Sequence, residues 1–425
     1  MTAEEAVYRK LRWRLVPYLL LLYVIAWFDR VNISFAALQM NADLGLSPAV
    51  YGLGAGIFFA GYALCEVPSN LILARVGARR WIARIMVTWG ILSVAMMFVQ
   101  GKWSFYGLRL LLGIAEAGFL PGILFYLSQW FPSRERARAV SWFLLGIPLS
   151  SVLGGPLAGL LLGLDGWHGL RGWQWLFLLE GLPAILLGVT TWLRLPDTPR
   201  DARWLKPAEQ RLIEQQIADE SARKQSRHGA SLRIALLHPT VWLLCLVTFA
   251  CQTGSYGLTL WIPQIIRGIS VQSDLVTGFI SAIPYVAAGV AMVLVGASSD
   301  RTGERFWHVA LPSFIGAAGF AASAFVQSPV PSMIALTVAA VGDMSTRGAF
   351  WTLPGRFLTG NALAAGLAFI NTFGALGGFV GPYAVGLVRE ATGSFAGGLL
   401  FMAALLVIAG VGSLVLKRAA LLRED

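Results

Sequence analysis

Charged side chains are scarce in this sequence. Only 13% of the 425 residues are Asp, Glu, Lys or Arg, whereas 56% are hydrophobic, and the mean hydropathy is +0.67. Soluble domains contain about 25% charged and about 45–50% apolar residues. The composition therefore excludes a chain that folds in water and predicts one that folds in a lipid bilayer.

Cysteine and histidine are also rare, with three and four residues in the whole chain. Cys65, Cys245 and Cys251 fall in apolar stretches, which argues against a disulfide framework and for ordinary packing. No histidine has a second ligand at the spacing that a metal site requires. An intramembrane enzyme would need a nucleophile with its base, or a metal cluster. Neither pattern is present, so we expect no enzyme, no metal and no cofactor.

Long apolar runs, by contrast, fill most of the chain. A helix needs roughly 20 mostly apolar residues to cross a hydrocarbon core of about 30 Å, because its backbone groups must pair within the segment. The first run is too long for a cleavable signal peptide and is expected to remain as a helix. Twelve runs fit the template, at 15–38, 48–74, 85–100, 103–126, 139–164, 172–193, 239–266, 275–299, 306–327, 330–354, 357–388 and 391–416.

These runs form two groups of six. We predict an all-α integral membrane protein with an N-terminal six-helix bundle at 1–194, a linker at 195–238 and a C-terminal six-helix bundle at 239–425. The linker has no spanning segment, and charged residues dominate 208–224, where the helical period is weak. We interpret the linker as a solvated spacer that tethers the bundles at the cytoplasmic surface. A regulatory or partner-binding role is the alternative.

Most basic residues lie on one side of this predicted arrangement. Of the 33 Lys and Arg, 26 fall on the side of the termini and the linker, and the opposite side has only Lys102, Arg171, Arg267 and Arg389. The positive-inside rule then predicts a multi-pass inner-membrane protein with both termini in the cytoplasm. The net charge of +11 thus records topology, and because no basic residues gather on a soluble module we expect no nucleic-acid partner.

The two halves repeat a turn with the pattern R-x-G-x-R, at 75–79 after span two and at 301–305 after span eight. Glycine permits a tight bend, and the arginines can meet helix C-terminal carbonyls or acidic partners. Spans five and eleven also carry glycine clusters with a proline, at 154–159 and 377–386, which allow close helix crossing. Repeats of this kind are typical of transporters. We predict gating roles for Arg75, Arg79, Asp300, Arg301 and Arg305.

Eight ionisable residues lie inside the predicted spans. Such groups cost several kcal/mol at the bilayer centre, so they normally face a cavity or one another and mark a pathway. We expect a structural or gating pair at Glu66 and a structural role for Glu180. The full set is Asp29, Arg30, Glu66, Arg109, Glu116, Glu180, Asp343 and Arg347.

Four of these residues predict a transport mechanism. Arg109 and Glu116 are seven apart and share one helix face, whereas the adjacent Asp29 and Arg30 must point in different directions. Arginine suits a carboxylate because its planar fork donates two parallel hydrogen bonds. We predict Arg30 and Arg109 as anion binders. Asp29 and Glu116 are the predicted proton carriers, since an anion that engages the arginine releases the carboxylate to take a proton. Fixed salt bridges are the structural alternative.

Several strings around these residues resemble the anion:cation symporter family of the major facilitator superfamily. The likeness runs over nearly the whole chain. The strings are FDRVN at 28–32, GY at 61–62, EVPSN at 66–70, RLLLGIAEAG at 109–118, YGL at 256–258, WIPQ at 261–264, FWTLP at 350–354, and Asn371 followed by GGFVGPY at 377–383.

The resemblance implies the major facilitator fold, with two pseudo-symmetric six-helix bundles that alternate access to one central site. It also implies proton-driven uptake of a small organic anion such as tartrate, a sugar acid or an aromatic acid, by a monomer in the bilayer. Together with the local arguments it gives Asp29 and Glu116 as proton-coupling residues. The candidate substrate-binding residues are Arg30, Tyr62, Arg109, Gln252, Tyr256, Arg347, Trp351 and Asn371.

This chain departs from the family pattern in two places. The acidic residue expected in the turn after span two is replaced by Ala74, although Asp300 survives in the second half. Span ten, which is generally uncharged in relatives, carries Asp343 and Arg347 four residues apart. That pair is either an internal salt bridge or a source of a second carboxylate-binding arginine, which would favour a dicarboxylate.

Other functions of the same fold stay open on sequence alone. An organic anion exchanger or a drug or metabolite exporter is the main alternative to a symporter. A sensor would be expected to carry an added signalling domain. The sequence leaves undetermined which carboxylate is carried, how many protons move with it and in which direction.

Overall fold

The computed structural model describes residues 3–225, 238–270, 272–326, 328–358 and 360–421. Within these ranges every long element of regular structure is an α-helix. The helices are α1 Ala3–Asp43, α2 Pro48–Val76, α3 Ala78–Ala95, α4 Lys102–Glu116, α5 Phe119–Ser128, α6 Ser133–Leu144, α7 Gly146–Leu162, α8 Gly172–Arg194, α9 Pro207–Gln225, α10 Pro239–Ile269, α11 Asp274–Thr302, α12 Trp307–Phe325, α13 Pro329–Phe350, α14 Pro354–Phe357, α15 Gly360–Thr392 and α16 Ala396–Leu421.

The all-helical membrane fold predicted from the sequence is confirmed. Eleven helical segments in the described part of the chain are long and apolar enough to cross a membrane, with α4 and α5 forming one of them and α6 and α7 another. The remaining predicted span, the tenth at 330–354, corresponds to α13, which packs against α11 and α12. It carries two charged residues, Asp343 and Arg347.

Two predicted spans differ in detail from the observed helices. The run at 103–126 is broken at Ala117 and Gly118, and the run at 139–164 is broken at Leu145 between α6 and α7. Gly118 has a left-handed φ of 85°, and a Cβ there would lie 2.4 Å from Ser69 Oγ. The break therefore requires glycine for two reasons: the backbone is left-handed there, and no room is left for a side chain. Apolarity continues through it, so the hydropathy pattern did not indicate it.

Each half of the chain forms its own set of packed helices. In the N-terminal half, α1 packs on α7 and α8, α2 on α4, and α3 on α8; in the C-terminal half, α10 packs on α15, and α12 on both α13 and α16. The α3–α8 crossing is a backbone contact, because a Cβ on Gly181 would lie 3.0 Å from Val94 N and 3.1 Å from Gly90 O. Small residues are what allow helices to approach this closely.

The two halves meet through α2 with α15, α7 with α11, and α1 with α10. We call the side where α1 begins and α16 ends the terminus side, and the opposite one the far side. Far-side hydrogen bonds cross between the halves: Gln39 Nε2 donates to Asp274 Oδ2 at 2.7 Å, and Ser47 Oγ donates to Glu390 Oε2 at 2.6 Å. A third joins Tyr51 Oη to the Leu260 carbonyl at 2.6 Å. The far side of the interface is therefore closed.

Glycines make this far-side closure possible. A Cβ on Gly278 of α11 would lie 2.2 Å from the Gly155 carbonyl of α7, and one on Gly52 of α2 would lie 2.5 Å from the Pro382 carbonyl of α15. The helices thus touch backbone to backbone. The close crossing expected for the glycine clusters at 154–159 and 377–386 is present.

The linker is more structured than a solvated spacer. Its helix α9 contacts the start of α1, where Lys10 Nζ lies 2.8 Å from Glu209 Oε2. Ile213 of α9 is fully buried, and the Trp204 ring stacks on Trp130 with centroids 6.2 Å apart. Residues 195–225 therefore pack onto the N-terminal half. The predicted linker residues 226–237 lie outside the described residues.

A bulky residue at the α7–α11 crossing should oppose far-side closure. We expect Gly278→Val to disfavour the closed arrangement by about 1–3 kcal/mol, the usual cost of overpacking, and so to slow transport and lower the melting temperature. Gly296→Val is the matched control on the same helix, because a Cβ there meets nothing within 4 Å. Equal melting temperatures and rates for the two variants would contradict this account.

Candidate substrate and proton site

The centre of the N-terminal half contains a buried ion pair between α1 and α4. Arg30 donates through Nη2 to Oε1 of Glu116, and the Glu116 side chain is fully buried. Glu116 is the last residue of α4, directly before the break at Ala117 and Gly118. Ser69 of α2 holds that break by donating to the Ala117 carbonyl at 2.6 Å.

Aromatic rings surround the Arg30 guanidinium. Its carbon lies 5.6 Å from the Trp27 ring centroid, 5.7 Å from that of Phe58 and 5.4 Å from that of Tyr62. Cation–π contacts of this kind favour the charged arginine in a dry setting. Arg30 Nε and Glu116 Oε2 have no hydrogen-bond partner among the described residues. The pair therefore keeps one donor and one acceptor available to a ligand or a proton.

Arg109, the second predicted anion binder, points toward α2. Its Nε and Nη2 donate to the carbonyls of Gly54 and Ala55, each at 3.2 Å, and its guanidinium lies 4.8 Å from the Phe58 ring. Only 2% of the residue is exposed. In this conformation Arg109 joins α4 to α2 and adds positive charge behind Arg30. Its role as an anion binder stays a prediction.

Asp29 faces away from Arg30, as the adjacency of the two residues predicts. Its carboxylate accepts from Trp89 Nε1 and Ser93 Oγ of α3, and from Asn32 Nδ2 at 3.1 Å. Only 1% of Asp29 is exposed. The carboxylate is therefore held by neutral donors and not by a fixed salt bridge to its neighbour.

The C-terminal half contributes a second arginine. Arg347 of α13 donates to Ser255 Oγ of α10, and its Nη2 lies 3.9 Å from Asp343 Oδ2. At 3.9 Å the internal salt bridge is loose, so Arg347 is available to another anion. Trp351, one turn further on, is 41% exposed.

Tyr256 of α10 lies at the boundary between the halves, where its ring packs on Phe59 of α2 with centroids 4.2 Å apart. Arg347 donates to Ser255, the residue directly before Tyr256. Gln252 also faces α15, where its side chain lies beside Gly374.

Asn371 and Glu66 connect the halves on the terminus side of the site. Asn371 Nδ2 of α15 donates to both carboxylate oxygens of Glu66 on α2, at 3.0 and 3.2 Å. The sequence predicts that Asn371 binds substrate and that Glu66 belongs to a structural or gating pair. In this conformation the two residues are partners of each other.

The arginines of the two predicted gating turns find their acidic partners in different places. Arg305 contacts Asp300 at 2.6 Å, within the second turn. Arg79 contacts Asp197 at 3.2 Å, and Asp197 belongs to the stretch after α8. Asp197 therefore supplies the acid that Ala74 does not. Arg75 and Arg301 are exposed, and their gating role stays a prediction.

Sequence reasoning missed several residues that hold the site. Trp89 and Ser93 are four apart on α3 and face Asp29, and Ser255 supports Arg347. The spacing of a tryptophan and a serine on one face of an apolar helix was the available signal. For Asp197 there was none, because its partner Arg79 is 118 residues away along the chain.

Comparison with known proteins identifies the family. The model of the Major Facilitator Superfamily matches residues 19–382. The chain belongs to the Major Facilitator Superfamily, and it is accordingly a multi-pass secondary transporter and not an enzyme.

Relatives with assigned names match nearly the whole chain. A protein of Agrobacterium vitis named "Putative tartrate transporter" is 50% identical over 98% of this chain and 96% of its own. The "Quinolone resistance transporter" of Acinetobacter baumannii is 45% identical over 95% and 93% of the two chains. The "Inner membrane transport protein RhmT" of Escherichia coli K12 is 42% identical over 97% and 95%.

Solved structures confirm the fold. A bacterial homologue of the human lysosomal transporter Spinster, in an inward-facing and occupied conformation, matches with a TM-score of 0.79. The two chains are 19% identical, and the match covers 96% of this chain and 97% of that one. At this identity the likeness concerns architecture alone.

Removing the Asn371 amide should destabilise this conformation. Asn371→Ala leaves the Glu66 carboxylate buried without its donor, which costs about 1–3 kcal/mol, so we expect a lower melting temperature. Thr372→Ala is the control, since Thr372 is half-buried and its hydroxyl bonds within its own helix. A double-mutant cycle with Glu66→Gln should give a coupling energy above about 0.5 kcal/mol. Additive effects would show that the two residues do not interact.

Proposed function

We propose that this transporter takes up a small organic carboxylate together with protons, by alternating access. The observation that carries the proposal is the buried Arg30–Glu116 pair, which keeps an unpartnered Nε and an unpartnered Oε2. A substrate carboxylate is a better partner for arginine than a single oxygen of Glu116, because it can accept two parallel hydrogen bonds. Substrate and Glu116 therefore compete for Arg30.

That competition couples the substrate to the proton. While Glu116 is paired with Arg30 its ionised form is favoured, and when a substrate anion takes Arg30 the carboxylate loses its counter-charge and takes a proton. The complex of substrate, Arg30 and protonated Glu116 then carries less charge than its separate parts. A site of low net charge can close and reopen on the other side at lower cost in a medium of low dielectric constant.

The substrate class follows from the second arginine. Arg30 lies on α1 and Arg347 on α13, so the two halves each offer one guanidinium to the shared boundary. A molecule with two carboxylates can bind both and so favours a closed site. Tartrate has this chemistry, and the name of the Agrobacterium vitis relative supports it. A small dicarboxylate is therefore the first candidate.

The charge distribution also supports a location and an orientation. The sequence-based prediction assigns 26 of the 33 basic residues to the side of the termini, which under the positive-inside rule is cytoplasmic. The name of the Escherichia coli relative refers to the inner membrane. We infer an inner-membrane protein with cytoplasmic termini, whose far side faces outward. In this conformation the outward side is closed.

Export is the second candidate, because one relative has a name that refers to quinolone resistance. An exporter driven by protons would move substrate and protons in opposite directions. The two functions can be distinguished by adding substrate to vesicles that contain the protein and a pH indicator, and by measuring the direction of proton flow. Symport predicts that added substrate drives protons in the same direction, whereas exchange predicts the opposite flow.

A thermal-shift screen against a panel of mono- and dicarboxylates identifies the substrate. We expect the largest stabilisation from a hydroxylated dicarboxylate such as tartrate, because binding to the folded state raises the melting temperature. The hits are then tested for substrate-driven proton flux in vesicles. If no carboxylate stabilises the protein while a neutral or cationic drug does, the proposal is wrong and the export candidate replaces it.

Glu116→Gln should uncouple transport from protons. The amide cannot ionise, so we expect exchange of labelled for unlabelled substrate to continue while proton-driven accumulation is lost. The same result is expected for Asp29→Asn. Glu214→Gln is the control: this partly exposed residue of α9 pairs with Arg200 outside the spanning helices, and the variant should accumulate substrate normally. Normal accumulation by both uncoupling variants would exclude the proposed mechanism.

Arg347→Ala should discriminate between substrates. Losing a charged hydrogen bond costs about 1.5–3 kcal/mol, which corresponds to roughly 10- to 100-fold weaker binding of a dicarboxylate. A monocarboxylate should be affected much less. Arg200→Ala, an exposed linker variant, should leave both affinities unchanged. If dicarboxylate affinity survives the loss of Arg347, a single carboxylate is what the site recognises.

A further inference from the structure

Two buried carboxylates lie in the N-terminal half, away from the Arg30–Glu116 pair. Glu180 of α8 is 95% buried, and Asp29 of α1 is 99% buried, from exposed fractions of 5% and 1%. The amide of Asn32 donates to Asp29 at 3.1 Å and also interacts with Glu180, and the two carboxylates act on each other electrostatically. No arginine forms a salt bridge with either acid among the described residues.

The α3–α8 crossing fixes this arrangement. Gly90 and Gly181 pack backbone to backbone, and each directly follows a residue of the cluster, Trp89 on α3 and Glu180 on α8. Glu180 is thereby held close to the α3 face whose side chains donate to Asp29. The placement is rigid, since a side chain on either glycine would meet backbone atoms at about 3 Å.

The carboxylates of Asp29 and Glu180 differ in the hydrogen-bond donors that they have. Asp29 accepts from Trp89, Ser93 and Asn32, three neutral donors. Glu180 Oε2 is buried and has no hydrogen-bond partner among the described residues. An ionised carboxylate oxygen without a donor is costly in such a place. A protonated Glu180 avoids that cost.

From this geometry we propose that Asp29 and Glu180 form a second proton-binding unit, in which Glu180 carries the proton while Asp29 is ionised. Two nearby carboxylates in a dry interior do not both ionise, because like charges repel strongly there. The other charged groups that face Asp29 are Arg109 and Glu116 of α4; α3 contributes only the neutral donors named above. Glu180 is thus a positioning residue that sets the proton affinity of Asp29.

This inference rests on the proposed proton coupling for its role in transport, but the unit itself exists without substrate. Its test is infrared spectroscopy of the purified protein during a pH titration. We expect the carbonyl stretch of a protonated, buried carboxyl in the wild type and its loss in Glu180→Gln. In Asp29→Asn the Glu180 band should remain but titrate at a pH lower by about one unit or more, because the neighbouring anion is gone.

The controls separate a shared unit from two independent acids. Glu214→Gln removes a partly exposed carboxylate of α9 and should leave the infrared titration unchanged. A band that survives in Glu180→Gln, or one whose titration is the same in Asp29→Asn as in the wild type, would overturn the proposal. If Glu180→Gln does not fold, the Asp29→Asn titration decides alone.

Transport assays then connect the unit to function. In vesicles, Glu180→Gln should shift the pH profile of proton-driven uptake and leave substrate exchange near the wild-type rate. A shifted infrared titration with no proton-driven uptake in the wild type would refute the proposed function and keep the acid pair. An infrared titration that is unchanged in the variants, together with normal proton coupling, would refute the acid pair and keep the proposed function.

Discussion

The buried pair of Arg30 and Glu116 is the interaction on which the rest of the site depends. Neither charge is stable alone in a hydrocarbon interior, so each requires the other or a replacement. That requirement explains the geometry around the pair. The break after Glu116 ends α4 at this depth, Ser69 holds the break, and aromatic rings cover the guanidinium of Arg30. In the function that we propose, a substrate anion is the replacement partner of Arg30.

The halves of the protein are joined by contacts of two different kinds. On the far side, glycines bring helix backbones together and polar side chains add hydrogen bonds, as in Gln39 with Asp274. On the terminus side of the site, the connection is the amide of Asn371 on the carboxylate of Glu66. Backbone contacts between glycines break cleanly when helices tilt, because few side chains interdigitate. Such an interface allows the halves to rock around a fixed centre, which alternating access requires.

Much of the fold could be predicted from sequence because lipid imposes a simple rule. Apolar runs of sufficient length must become helices, so the predicted runs recovered the spanning helices within a few residues at most ends. The rule does not detect what happens inside a span. The break at Gly118 lies in an apolar run, and the docking of α9 depends on the burial of Ile213 and Trp204, which a weak helical period did not indicate.

The sequence by itself determined which charges enter the membrane, that Arg109 shares a helix with Glu116, and that Asp29 and Arg30 diverge, because these follow from helix geometry alone. Only the tertiary structure decided which of these side chains contact each other. It paired Arg30 with Glu116, directed Arg109 to carbonyls of α2, and gave Asp29 its donors on α3. Partners on different helices are fixed by how the helices cross, and no local pattern of residues encodes that.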